Sequence, residues 1–464
     1  MKKKQSLFQW KRNYKEITVY EPSEIEVTFD SLIGLNAAKE DLHDVIQYIK
    51  DPEIFEKLNV RPHMHYVIQG EDGLGKNSLA FALAHEAEIP IVVVDCKNFV
   101  DTRKTAFNLL ENAFKVADGY ENSVLLFKEF HRFFQINEEF KYAFIRTLLE
   151  LMKEYTNVIV ITTLSVDLNI IGGEYLFDED AFSKTIDLIP PDLKTREKMY
   201  ETFCKNIMLD DDVSLARIAI DSYGMSAKDI KRIIRNATLL AIRANSPTVK
   251  HEHFDEVISL ELLGQKRKKM TEKERLATAY HEAGHVVAGY FSNPEYKLSK
   301  VEIVHRTGSL GVTMPENDED KLSNFKKDLE YEIISLYGGM VAERIIFGEN
   351  SSGVSADLSM ATSTAKFMVA AYGMSDDFGP FSVYEALFGS TDVLIFKTPS
   401  DTLFDKVNEH ASKIINTLYQ KCYNIVLTHK KELEALTKAL LEKEVVYGSE
   451  IEQIFKDCNA PKED

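Results

Sequence analysis

His65-Tyr66-Val67-Ile68-Gln69-Gly70-Glu71-Asp72-Gly73-Leu74-Gly75-Lys76-Asn77-Ser78, residues 65–78, decides the fold of the first half of the chain. A β-rich run passes through a glycine-rich loop into a stretch that opens a helix. In that setting the loop turns backbone N–H groups toward phosphates and the lysine reaches the β and γ oxygens. Working outward, the runs IPIVVVDC (89–96), SVLLF (123–127) and NVIVITTL (157–164) stand apart by helix-length segments. Such a series predicts a parallel sheet covered on both faces. Pro190-Pro191 breaks the pattern. Beyond it IKRIIRNATLLAIRAN (230–245) repeats apolar residues at three- and four-residue steps, which predicts helix. GQKRKKM (264–270) reads as a basic linker. The remainder reads as mainly helical, apart from one β-like passage, KVEIVHRTGSLGVTM (300–314). The expected fold class is α/β plus all-α. The expected divisions are a lead-in (1–26), an α/β domain (27–191), a helical subdomain (192–263) and a mainly helical domain (264–464).

Composition excludes several functions. The 464 residues carry 56 Lys and Arg against 74 Asp and Glu, a formal charge of −18. So acidic a chain lacks the broad basic surface that neutralises phosphates, so no nucleic-acid partner is expected. No window approaches about 18 uninterrupted apolar residues, so no membrane span is expected. The basic start, Met1 to Lys4, is followed by QSLFQWKRNYKE, which has no apolar stretch for a signal peptide. Cys96, Cys204, Cys422 and Cys458 lie far apart and form no CxxC pair. A soluble, cytoplasmic protein is the expectation.

The sharpest chemical signal is His281-Glu282-Ala283-Gly284-His285, inside TEKERLATAYHEAGHVVAGYF (271–291). Thr271 and Glu274 fit a helix capping box. Histidines at i and i+4 leave one helical face a turn apart, close enough to hold one Zn²⁺, and the glutamate beside the first can serve as general base. A catalytic zinc needs a third protein ligand from elsewhere. Asp357, in SSGVSADLSMATSTAKFMVAAYGM (351–374), and Glu343, in YGGMVAERIIFG (337–348), are the candidates. Spacing does not choose between them. His251 and His253, in the polar KHEHF (250–254), read as surface residues.

ATAYHEAGHVV, SLGVTM, GGMVAERIIFG, SADLSMAT and YGMSDDFGP follow one another in an order that resembles the peptidase domain of FtsH-type AAA+ zinc metalloproteases. The resemblance runs from about residue 271 to 457. It implies that Asp357, in the D-L-x-x-A-T segment, is the third zinc ligand and that Glu343 is a supporting residue. It also implies that the β-like passage around Ser309–Met314 is an edge strand on which substrate pairs.

The first half resembles the same family's ATPase module, starting at FDSLIGLNAAKEDLHDVIQYIKDP (29–52), with IDSYGMSAKDI (220–230) resembling the start of its helical lid. This implies a nucleotide loop at Gly70, Gly73, Gly75 and Lys76. Five departures stand out. Asn77 occupies the place of the hydroxyl ligand for Mg²⁺. Lys128, before Glu129, stands where the strand SVLLF should end in a Mg²⁺-holding aspartate. Leu164-Ser165 replaces the family's strand-end asparagine. No arginine lies between Arg146 and Arg196, the window for fingers that act on a neighbour's nucleotide. DTRKTAFN (101–108), after NFV (98–100), lacks the glycine of the substrate-gripping loop.

The chain therefore reads as a zinc metallopeptidase for unfolded or flexible polypeptides, with a degenerate AAA module that does not hydrolyse ATP. Gly73, Gly75 and Lys76 retain a means of holding ATP or ADP. Rings of six are implied by the resemblance, so a homo-oligomer, a hexamer, is expected. The alternative is a regulatory or scaffold subunit that co-assembles with an active ATP-dependent protease. A nucleotide-binding sensor is a third reading.

Overall fold

The computed structural model describes residues 17–99, 103–135, 138–165, 182, 184–265, 270–306, 310–315, 323–376, 378–380, 382–383 and 401–459. The lysines of the lead-in, linker residues 266–269, Ser309, and 166–181 of the arginine-free window lie outside the described residues. So do 101–102 of DTRKTAFN. The chain divides into two compact units, Met1–His253 and Phe254–Asp464.

The first unit is built on a six-stranded sheet in the order β1-β3-β4-β5-β2-β6. Its strands are β1 (Ile17–Tyr20), β2 (His65–Gln69), β3 (Ile91–Asp95), β4 (Ser123–Lys128), β5 (Val158–Leu164) and β6 (Lys184–Asp187). All pairings are parallel except that of β1 with β3. Successive side chains of a strand face opposite sides, and here both sides are dry. Val92, Val94, Leu125, Phe127 and Val160 pack with Leu110, Phe114, Phe144 and Leu148 from helices α4 (Arg103–Asp118) and α5 (Glu138–Glu154). Ile91, Val93, Val124, Leu126 and Ile161 pack with Leu42, Val45, Leu79 and Leu83 from α1 (Asn36–Lys50) and α3 (Lys76–Glu86). Burial on both faces is why the strands read as continuous apolar runs. A short helix, α2 (Pro52–Leu58), precedes β2.

Helices α6 (Leu193–Phe203), α7 (Leu215–Asp221) and α8 (Ala227–Arg243) follow the sheet. Ser226 caps α8 through a reciprocal box with Asp229. At the boundary of the units runs α9 (His251–Leu263). His253 is buried, which corrects the expectation that it is a surface residue. Its Nδ1 accepts a hydrogen bond from the Lys250 N–H at 2.9 Å, which ties the ring to the start of that helix.

The second unit is mainly helical: α10 (Glu272–Ser292), α11 (Lys326–Phe347), α12 (Ser355–Ala370), α13 (Asp401–Thr428), α14 (Lys430–Lys443) and α15 (Gly448–Asn459). A small antiparallel sheet, ordered β8-β7-β9, joins β7 (Leu298–Glu302), β8 (Val312–Pro315) and β9 (Val445–Tyr447). The expected capping box is present: Thr271 Oγ1 accepts from the Glu274 N–H, and Glu274 Oε2 accepts from the Thr271 N–H. Helices α10 and α11 cross closely at two glycines. A Cβ on Gly284 would lie 2.3 Å from the Gly338 carbonyl oxygen, and one on Gly338 would lie 2.3 Å from that of Gly284. Only hydrogen fits at this crossing. Among the described residues, no helix is long and apolar enough to cross a membrane.

Candidate metal centre

Helix α10 delivers both histidines to one buried point. His281 Nε2 and His285 Nε2 are 3.0 Å apart, and Asp357 Oδ2 lies 3.2 Å from the first and 3.4 Å from the second. A tetrahedral Zn²⁺ with bonds of about 2.0–2.1 Å spaces neighbouring donors by about 3.3 Å. The three edges of this triangle match that spacing, so the donor set fits the ion. Asp357 sits in the first turn of α12, where the helix N-terminus favours an ionised carboxylate.

The other ring nitrogens are fixed from behind. His281 Nδ1 donates to Glu343 Oε1 at 2.8 Å, and His285 Nδ1 donates to the Ser335 carbonyl at 2.7 Å. These bonds select the tautomer whose Nε2 lone pairs turn toward each other and toward Asp357. Glu343 is in turn held by Ser351, whose N–H donates to Oε2 at 2.5 Å and whose hydroxyl donates to Oε1 at 2.9 Å. The two carboxylates that spacing left open thus occupy opposite nitrogens of the same imidazole. Beside them Gly339 leaves room for the ring: a Cβ there would sit 2.6 Å from His281 Cε1. The adjacent glycines of GGMVAE therefore serve different neighbours, Gly338 the crossing helix and Gly339 the histidine.

The electrostatics point the same way. Burial works to lower the His281 pKa, yet the carboxylates of Asp357 and Glu343 on either side of the ring raise it to about 10. Burial works to raise Asp357, and the two imidazoles hold it well below the ordinary carboxylate range. The carboxylates draw positive charge to the point where the three donors meet, as a site for a divalent cation must. Glu282 stands beside it, its carboxyl pushed up by burial despite the nearby imidazoles and a hydrogen bond from Thr313. Thr313 Oγ1 donates to Glu282 Oε2 at 2.9 Å from β8.

A buried ionic cluster anchors the sheet next to the site. Arg306 Nε donates to Glu302 Oε1 at 2.9 Å, Lys300 Nζ lies 3.9 Å from Glu302 Oε2, and Ser259 receives the Lys300 ammonium at 2.9 Å. Lys300, Glu302 and Arg306 are each 1–2% exposed.

The nucleotide loop of the first unit is closed on itself. It turns through positive φ at Gly73 and Gly75, 93° and 100°. Lys76 is 7% exposed. Its Nζ donates to the carbonyls of Gly70 at 2.5 Å and Glu71 at 2.7 Å. Asp72 Oδ1 accepts from Ser165 Oγ at 2.7 Å, and Asn77 Oδ1 accepts from Thr163 Oγ1 at 3.2 Å. Glu129 is paired with Lys97 at 3.1 Å and with Arg132. Lys128 ends β4 opposite Asp95 of β3.

Sequence comparison agrees with this arrangement of parts. Residues 66–169 match the family model of the ATPase family associated with various cellular activities (AAA), 212–256 match the AAA+ lid domain, and 268–454 match peptidase family M41. The chain is thus an AAA domain with its lid, followed by an M41-type peptidase domain. Among curated proteins, the ATP-dependent zinc metalloprotease FtsH of Caldicellulosiruptor bescii is 30% identical over 448 residues, covering 93% of this chain and 73% of that protein. FtsH of Aquifex aeolicus is 30% identical over 455 residues, covering 94% and 72%. FtsH 1 of Rhodopirellula baltica is 29% identical over 449 residues, covering 94% and 67%. The chain belongs to the FtsH family of ATP-dependent zinc metalloproteases.

Proposed function

We propose that this chain is a zinc-dependent metalloendopeptidase for unfolded or flexible polypeptides, whose AAA module does not hydrolyse ATP. The observation that carries the reading is the triangle of His281 Nε2, His285 Nε2 and Asp357 Oδ2 with the Glu282 carboxylate beside it. These three residues would hold the zinc. When bound, Zn²⁺ supplies Lewis-acid polarisation of the scissile carbonyl and of water. Glu282 takes a proton from the attacking water and delivers it to the departing amine, for which a carboxyl raised by burial is well matched. Glu343 and Ser335 keep the two imidazoles in their working tautomer. The outer strand β8 offers backbone hydrogen bonds to an extended peptide, which suits chains already unfolded. Zinc content and cleavage of unfolded casein test the reading. Glu282→Gln is expected to keep stoichiometric zinc and lose roughly 10²–10⁴-fold in rate; near-wild-type cleavage by that variant rules out Glu282 as the base.

The absence of ATP hydrolysis rests on Asn77 and Lys128, at positions where the resemblance calls for a hydroxyl and a carboxylate on Mg²⁺. The same substitutions favour the second reading, a subunit that joins a ring driven by another chain's motor. Self-assembly is part of the first reading: light scattering of the purified chain is expected to give the mass of a hexamer. A monomeric mass at micromolar concentration rules that out.

A further inference from the structure

Strand β8 and the residue before it bring Thr313 and Gly311 against Glu282. Strand β8 is one of the two outer strands of its sheet. Alternate residues of a strand share a face, and Gly311, just before β8, and Thr313 both meet Glu282. Thr313 Oγ1 donates to Glu282 Oε2 at 2.9 Å and lies 3.5 Å from the Glu282 carbonyl oxygen. At Gly311 a Cβ would fall 2.8 Å from Glu282 Cγ and 2.9 Å from Oε1. The same Cβ would fall 2.9 Å from the Glu302 backbone oxygen, which cannot give way, so a side chain here would have to push the Glu282 carboxylate aside. One carboxylate oxygen is held and the other is left uncrowded.

We propose that Thr313 is the positioning residue of the general base: its hydroxyl fixes the Glu282 carboxylate through Oε2, while Gly311 keeps Oε1 clear for the proton of the attacking water. This inference rests on the peptidase reading above. The terminal torsion of a glutamate is broad when nothing holds it. A charge-assisted hydrogen bond from a β-branched residue, stiff about its own χ1, removes that freedom. The proton passes between water and Glu282, and Thr313 keeps its own. Since β8 is also the strand proposed to pair with substrate, a peptide seated on it acts on the same residue that orients the base.

Thr313→Val, which preserves shape and removes the hydroxyl, and Thr313→Ser, which restores it, separate this role from packing. Thr313→Val is expected to lower kcat roughly 10- to 100-fold, the worth of one hydrogen bond to a charged group. KM stays nearly unchanged, and so does zinc stoichiometry. Thr313→Ser is expected to keep most of the rate. Crystal structures of the wild type and both variants give a readout independent of turnover: Glu282 Oε2 stays in place in Thr313→Ser and is displaced in Thr313→Val. Wild-type kcat in Thr313→Val, equal loss in both variants, or an unmoved carboxylate in Thr313→Val overturns the proposal. A wild-type protein that binds zinc yet cleaves nothing overturns the peptidase reading instead, and the carboxylate positions still decide the role of Thr313.

Discussion

The metal centre and the nucleotide loop are both places where a short motif brings charged side chains into a confined space, and they finish the task in opposite ways. At the metal centre Glu343 and the Ser335 carbonyl take the outer nitrogens of the histidines, so that the inner nitrogens converge with Asp357. In the loop the charged groups turn to the chain itself: Lys76 to the Gly70 and Glu71 carbonyls and Asp72 to Ser165, while beyond β4 Glu129 turns to Lys97. The difference teaches that a motif becomes a site through the partners that hold its residues from behind. In the peptidase unit those partners aim the donors at a common point. In the loop they satisfy the donors internally.

The sharpest way to break that comparison is to remove the proposed ligand Asp357 and the proposed supporting residue Glu343 separately. Asp357→Ala is expected to release zinc and abolish cleavage, because the triangle loses a corner. Glu343→Ala is expected to weaken zinc about 10- to 100-fold, the usual cost of losing such an outer hydrogen bond, and to remain loaded in excess zinc. Metal titration by calorimetry checks both. Zinc retention by Asp357→Ala, with loss in Glu343→Ala, reverses the two roles.

A smaller effect is expected from charge burial. Glu302→Gln takes from Lys300 and Arg306, each 2% exposed, the carboxylate they share, and leaves Arg306 paired with Glu256 at 3.3 Å. Breaking a buried ion pair from one side costs about 3–5 kcal/mol, so the peptidase unit is expected to unfold at a clearly lower denaturant concentration. In the first unit, Glu53→Gln removes the partner of Lys57 in a pair that is three-quarters exposed, and the unfolding midpoint is expected to stay essentially in place. Equal midpoints for Glu302→Gln and the wild type contradict the account of the cluster.

Much of this was legible in the sequence where the signal is local. The capping box at Thr271 and Glu274 and the i, i+4 histidines are features of one helix, and the four main strands show as apolar runs because both their faces are buried. What escaped is what comes from afar or from few residues. Strand β1, read as part of the lead-in, is four residues long and pairs antiparallel with β3. Strand β9 is three residues at the end of a long helical stretch. Ser335 contributes a carbonyl, which no side-chain pattern announces, and Thr313 reaches Glu282 across 31 positions. Asp357 and Glu343 could not be ranked by spacing because both belong to His281, on opposite nitrogens. His253 was misread because its neighbours are polar while its ring folds back on the Lys250 backbone.

In the proposed function the peptidase works without a motor. The measurement that tests it most directly follows phosphate release and casein cleavage together, in zinc-loaded wild-type protein, Lys76→Ala and Lys128→Asp, with and without ATP. Cleavage is expected at one rate in all conditions, with no phosphate release above background, including in Lys128→Asp, where Asn77 still stands in place of the hydroxyl residue. Phosphate turnover of about one per second, the lower end of ordinary phosphoryl transfer, that drives cleavage and vanishes in Lys76→Ala would contradict it.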